Sequence, residues 1–484
     1  MTYHANMISL SRHEVPSWYH DAKFGIFIHW SLSSVPAFAP RDKGDIIEIL
    51  KAEGAGAMMA NQPYAEWYLN SIRIPGSPAW EHHRATYGPD YDYYDFARDF
   101  NDALPEWDPD AWAETFAAAG ARYVVPVTKH HDGFLLWPSR HPNPLKPGLH
   151  ATRDVVGELT DAVRARGMRI GYYYSSLLDW TFTSEPIVDM VGGAVNVPTS
   201  RQYAMYSESH WRELIERHEP SLLWSDIGYP AASDLNALFA WYYNKVPEGL
   251  VNDRWAQAPP LVRWILERPW VRPRADRIAE RMFINGATTL VTVHHDYVTP
   301  EYATFPEIRK EKWECVRGMG KSFGYNRVET PEDFLEPDEA VRLLADIVSK
   351  NGNLLLNTGP MPGGKIPDVQ LRILKAMGKW LGVNGEAIYG TRPWVRAEGE
   401  TVEGPRVRFT SRWNTLYAIL MDTPQGGTVT LRGVDAPDGA RVTMLGRKKE
   451  LSWERSDRGV EVKVGRVAKS AAHTLKITPA PRAY

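Results

Sequence analysis

Asp226 sits in Ser221–Pro230 (SLLWSDIGYP), where a short apolar run delivers one carboxylate just before Gly228 and Pro230 break the pattern. Taken alone, such an aspartate reads as a turn cap. Its company changes that reading. His29, the Glu66-Trp67 pair, His130, His131, Tyr173, Trp224, Arg254 and Glu301 also fall at or near the ends of strand-like runs. Imidazole and phenol groups donate and accept hydrogen bonds, and a guanidinium donates several in a planar fork. Such a mixture suits a ligand rich in hydroxyls, with Trp67 and Trp224 as flat apolar walls. The chemistry open to the set is that of paired carboxylates, one an ionised nucleophile and the other a protonated acid. Asp226 fits the first part. Glu66 and Glu301 lead the candidates for the second, with Asp132, Asp179, Asp253 and Asp296 behind them, and spacing along the chain does not choose among them.

Other chemistries fit less well. Two tripeptides, His130-His131-Asp132 and His294-His295-Asp296, raise metal binding. Adjacent residues of an extended strand point to opposite faces, so the two imidazoles of a pair do not easily share one ion. The sequence contains no H-E-x-x-H, and neither a metal nor another cofactor is expected. A serine-based mechanism is a poor fit. The glycines near Gly352 and at Gly363-Gly364 match neither a phosphate-binding loop nor a dinucleotide fingerprint. A net charge of −3 argues against nucleic acid or an anionic membrane as partner. One cysteine, Cys315, excludes an intramolecular disulfide framework. The first residues carry no apolar signal region, so a cytoplasmic location is expected. No apolar run approaches the ~20 residues of a membrane span. A homo-oligomeric state is allowed.

The elements that must bring these residues together read as alternating strands and helices. Lys23–Trp30, Arg122–Thr128, Met168–Tyr174, Leu222–Asp226, Gly249–Trp255, Ala287–Val293 and Asn353–Asn357 are strand-like. Helices are expected over Asp45–Glu53, from Asp108-Pro109 to Gly120, after a cap at Thr152, over Tyr203–His218 and Asp234–Lys245, and from Glu336 and Pro367. The alternation predicts a parallel sheet, and its extent fits an irregular (β/α)8-like TIM barrel over residues 1–388, with the polar residues at its C-terminal edge. After about Gly390 short alternating runs separated by Pro437-Asp438-Gly439 and Asp457-Arg458-Gly459 turns predict a small antiparallel β-sandwich over residues 389–484.

Several stretches together, AKFGIFIHW, YAEWY, EWDPDAWAETF, GARYVVPVTKHHDGF, YYYSSLLDW, LLWSDIG, VNDRW, TPEY and GKSFGYNR, closely resemble the family-29 glycoside hydrolases, the retaining α-L-fucosidases. The resemblance covers the barrel, and that family also carries a C-terminal sandwich. It implies an exo-glycosidase that releases terminal α-L-fucosyl residues from fucosylated oligosaccharides or glycosides by double displacement. By the same resemblance Asp226 is the nucleophile and Glu301 the acid/base, with Glu66 as fallback. His29, Glu66, Trp67, His130, His131, Tyr173, Trp224, Arg254 and Phe323 would bind fucose. The carboxyl oxygens would then lie about 5–5.5 Å apart. The alternatives are a glycosidase for a related sugar such as an α-L-galactoside, or a non-catalytic fucose-binding protein. Two departures stand out: Ser31 follows His29-Trp30 where the family usually has glycine, and the span Ala256–Thr299 is longer and rich in arginine and proline.

Overall fold

The computed structural model describes residues 2–285 and 293–483. Seven parallel strands frame the larger part: β1 (Phe24–Ile28), β2 (Tyr123–Lys129), β3 (Arg169–Ser175), β4 (Leu222–Asp226), β5 (Leu250–Val251), β6 (Trp313–Gly318) and β7 (Gly352–Thr358). Their order is β5-β4-β3-β2-β1-β7-β6. Most are buried from end to end, which is why they read as unbroken apolar runs rather than as alternating ones.

Between β5 and β6 an irregular extended segment, 296–302, takes the eighth place. Its Asp296 N–H donates to the Val251 carbonyl at 3.0 Å, and the Val251 N–H donates back to Asp296 Oδ2 at 2.7 Å. On the other side Val298 and Glu301 form parallel bridges to Trp313 and Val316. The irregular barrel expected from the sequence is thus a curled seven-stranded sheet closed by this segment. The β-like run expected at Ala287–Val293 lies, apart from Val293, outside the described residues. Strand β6 was not anticipated, because Glu314 and Arg317 interrupt its apolar pattern.

Helices α1 (Ile46–Ala60), α2 (Pro109–Ala118), α3 (Val155–Ala165), α4 (Arg201–His218), α5 (Leu235–Lys245), α6 (Pro260–Leu266), α7 (Arg272–Ile284), α8 (Pro337–Ser349) and α9 (Asp368–Asn384) connect the strands. Asp108 caps α2 by accepting from the Asp110 and Ala111 N–H groups, with Pro109 in the first turn. The cap of α3 is Asp154, not Thr152: its carboxylate accepts from the Gly157 N–H, as a residue directly before the first turn can. Helix α1 extends beyond the expected Glu53 but breaks at Gly54, whose φ of 81° is open to glycine at little cost.

From Arg392 onward the chain forms antiparallel sheets of six, three and two strands. The strand Thr415–Leu420 shows how the sandwich is joined to the barrel. Leu416, Ala418 and Leu420 point into the sandwich core, while Tyr417 and Ile419 belong to the barrel's apolar cluster. The period of two serves both faces. Trp380 of α9 donates to the Ala472 carbonyl across the same junction at 2.9 Å. No helix among the described residues is long and apolar enough to cross a membrane.

Candidate active site

The C-terminal ends of the strands surround a cavity of about 160 Å³. That is small beside the roughly 300–1,000 Å³ of sites for drug-sized ligands. Asp226 ends β4 at its edge. Directly after it the chain turns through Ile227 at φ 60° and Gly228 at φ 105°. A β-branched residue held in the left-handed region is strained. A side chain at Gly228 would also meet the Ala256 carbonyl at 2.5 Å. The turn lets the Ile227 N–H donate to Asp226 Oδ1 at 3.0 Å.

Arg254 joins the carboxylates. It donates to Asp226 Oδ1 through Nη1 at 3.2 Å and to Glu301 Oε2 through Nη2 at 3.1 Å. Thr299 holds the same guanidinium through its hydroxyl and its carbonyl, both at 3.0 Å, and Trp224 lies beneath it at 4.7 Å. Burial works against the charge on Arg254, but the flanking Glu301 and Asp226 carboxylates outweigh it and raise the pKa further. Tyr173 donates to Asp226 Oδ2 at 2.9 Å, and Tyr64 donates to Glu301 Oε1 at 2.6 Å.

Burial makes the histidines neutral. It pulls His29 down to about 4 and His131 down to about 3, and holds His130 well below its ordinary value. The tautomers follow from their partners. His29 Nδ1 faces the Asn357 side-chain oxygen Oδ1 at 2.7 Å, which assigns the proton to Nδ1 and leaves Nε2 an acceptor. Ser175 gives its proton to the Leu178 carbonyl, so His131 Nδ1 donates to Ser175 at 2.6 Å. His131 Nε2 is then an acceptor, 3.7 Å from Asp226 Oδ2. His130 lies parallel to Tyr173, with ring centroids 5.6 Å apart. Glu66 accepts from the Gly324 N–H at 2.7 Å, and its burial pushes it up to about 8.

A family model described as alpha-L-fucosidase matches residues 1–386, and one described as the alpha-L-fucosidase C-terminal domain matches residues 400–478. The chain belongs to the alpha-L-fucosidase family. Among its relatives, the alpha-L-fucosidase of Branchiostoma floridae is 34% identical over 92% of this chain and 87% of its own length. The human tissue alpha-L-fucosidase is 32% identical over 97% of this chain and 90% of its own. The structure of Thermotoga maritima alpha-fucosidase in complex with a mechanism-based inhibitor superposes with a TM-score of 0.82 at 38% identity, covering 98% of this chain and 99% of that one.

Ten of the residues expected for a fucosidase border the one cavity: Asp226, Glu301, His29, Glu66, Trp67, His130, Tyr173, Trp224, Arg254 and Phe323. His131 is buried behind them and reaches Asp226 from the side. The other carboxylates considered for the acid do not line it. Asp132 accepts from Ser31 and Tyr93, Asp179 pairs with buried Lys129, Asp253 accepts from Thr299, and Asp296 ties down His13 and Tyr243. Ser31, the departure from the family glycine, is absorbed by that bond to Asp132. His294-His295-Asp296 serves to close the barrel rather than to enter the site.

Sequence reasoning missed two residues that shape the site. Tyr64 opens the same YAEWY stretch as Glu66, two residues away, and that proximity was the available signal. Glu314 of β6 is fully buried beneath the site and accepts from Tyr19, Tyr123 and the Trp224 indole at 2.8, 2.6 and 3.2 Å. It holds the tryptophan on which Tyr173 and Arg254 lie. Nothing in the sequence around it marks an inward-facing glutamate.

Proposed function

We propose that Asp226 is the nucleophile and Glu301 the acid/base of a retaining α-L-fucosidase that acts by double displacement. The observation that carries the assignment is Arg254, whose single guanidinium contacts these two carboxylates and not Glu66. A shared planar fork supports the short carboxyl separation of a retaining enzyme. In the first step an Asp226 oxygen attacks the anomeric carbon. The bond from that carbon to the leaving oxygen breaks, and Glu301 protonates the leaving oxygen. In the second step water attacks the same carbon and gives a proton to Glu301. The ester bond to Asp226 breaks, and L-fucose leaves with its original anomeric configuration.

The remaining residues hold the sugar. Positive charge develops on the ring in the transition state. Neutral His29 and His130 can accept its hydroxyls without opposing that charge, and neutral His131 stands behind them beside Asp226. Phe323 packs against His29, Tyr64 and Tyr302, and offers an apolar face to the C6 methyl. Proton NMR of the reaction is expected to show α-L-fucose first, with the β anomer appearing later by mutarotation. A β anomer formed first would contradict double displacement.

Glu66 is assigned to hydroxyl binding. With its pKa near 8 it is uncharged at neutral pH and carries an O–H that can donate to the sugar. Because the folded-state pKa is raised, the neutral form is complete below that value and is lost as pH rises through it. Competitive inhibition by L-fucose is expected to be flat up to about pH 7 and to weaken above about 8, by at most roughly tenfold per pH unit. Glu66→Gln should bind fucose with no such alkaline decline. An identical decline in that variant would remove Glu66 from this role.

We further place the boundary between catalytic barrel and sandwich at residues 388 and 389, and the protein in the cytoplasm. The net charge of −3 fits a fucosylated saccharide or glycoside as partner better than nucleic acid or an anionic membrane, and the single buried thiol suits a reducing compartment.

A further inference from the structure

The cavity has two chemically distinct parts. One part carries the carboxylates, imidazoles and Arg254. The half-buried residues at the cavity's opening include Met190, Ile227 and Phe283, and behind them Met58 and Met59 continue the same surface. All five side chains are hydrocarbon or thioether. Ile227 directly follows Asp226, so the apolar part begins where the sugar's anomeric carbon would meet the nucleophile. In an exo-acting enzyme with a single pocket, the leaving group must occupy that opening.

The long span noted in the sequence builds this wall. Along α7 the residues Arg272, Asp276 and Glu280 recur every four positions and Phe283 follows three later, which puts all four on one helix face. Arg272 holds Asp189 through two bonds of 2.8 and 2.9 Å. Asp276 accepts from the Val191 N–H at 3.0 Å, and these two contacts bracket Met190. Glu280 accepts from the Ala55 N–H at 2.8 Å, where α1 restarts after its break at Gly54, one turn before Met58 and Met59. The polar stripe thus clamps two apolar segments, and the same helix face then contributes Phe283 to the cavity edge.

We propose that α7 is the wall of the aglycone site, and that it selects α-L-fucosides whose leaving group begins with an apolar face, alkyl or aryl, over those with a hydroxyl-rich saccharide there. This rests on the fucosidase reading above. Thioether and aromatic side chains adapt to varied apolar shapes. Saccharide hydroxyls pressed against them would lose water without gaining partners.

The test compares kcat/KM for two alcohol leaving groups, cyclohexylmethyl α-L-fucoside and a fucosylated disaccharide; the sugar hydroxyl is the more acidic alcohol, so bond reactivity alone favours the disaccharide and a preference for the cyclohexylmethyl fucoside reads aglycone contacts. The expected ratio is about tenfold in favour of the cyclohexylmethyl fucoside, the size of effect that partial burial of one apolar ring provides. Phe283→Ser should bring the ratio to within about twofold, and Phe283→Leu should keep most of it. As an independent reading, phenyl 1-thio-α-L-fucoside should inhibit more tightly than free L-fucose, and that advantage should shrink in Phe283→Ser but not in Phe283→Leu. A wild-type ratio at or below one, or a ratio that Phe283→Ser does not change, overturns the proposal. If neither substrate is cleaved and L-fucose does not inhibit, it is the fucosidase reading that has failed.

Discussion

Replacing Asp226 with glycine is expected to lower turnover of an aryl α-L-fucoside by about 10⁴-fold or more, in line with the loss of other catalytic nucleophiles. The fold should survive. Asp226 lies at a strand end facing the cavity, and Arg254 keeps Glu301 and Thr299 as partners when the carboxylate is gone. The stability change should therefore stay within about 1–2 kcal/mol, measurable as a modest shift of the melting temperature. The variant also has a chemical signature. With the nucleophile removed, azide can enter the vacated side and displace the aryl group directly. A single displacement inverts the anomeric carbon, so the product is β-L-fucosyl azide. Near-normal hydrolysis by this variant would remove Asp226 from the mechanism.

Glu301→Ala is expected to behave differently. General acid/base catalysis contributes about 10²–10⁴-fold, and a good aryl leaving group partly relieves the need for the acid. The fucosyl-enzyme should still form from such a substrate but should await a base to activate water. Azide needs no base. It should restore turnover and, by attacking the intermediate, give α-L-fucosyl azide with net retention. The two variants thus yield opposite anomers of one product, which NMR separates. If Glu66→Ala is rescued to the α-azide and Glu301→Ala is not, the acid/base is Glu66.

Much of this was legible before folding was considered. The barrel strands are buried on both faces, so each left a run of apolar residues, and the polar residues closing those runs marked one edge of the sheet. Asp226, His29, His130, Tyr173 and Arg254 were all found that way. What stayed hidden has physical causes. Strand β6 carries Glu314 inward, where Tyr19, Tyr123 and Trp224 satisfy it; partners from a short helix and two other strands, all distant in the chain, leave no local trace. The closing segment 296–302 bonds partly through the Asp296 side chain, so it has no strand pattern to read. Which of the six carboxylates face the cavity was not legible, because whether an aspartate faces it or caps a loop depends on neighbours far away in the chain. The apolar opening was the least legible feature. Met58, Met190 and Phe283 come from three separate segments, and only the clamping bonds of α7 bring them to one surface.

The central claim is that Asp226 becomes covalently bonded to the anomeric carbon. A 2-fluoro-2-deoxy-α-L-fucosyl fluoride slows both steps by withdrawing electrons from the developing cation, while its fluoride leaving group lets the first step proceed. The enzyme treated with it, digested with protease and examined by mass spectrometry, is predicted to carry one 2-fluorofucosyl group on the peptide containing Asp226. A label on a peptide containing Glu66 or Glu301 instead, or complete inactivation with no covalent label, would contradict the account.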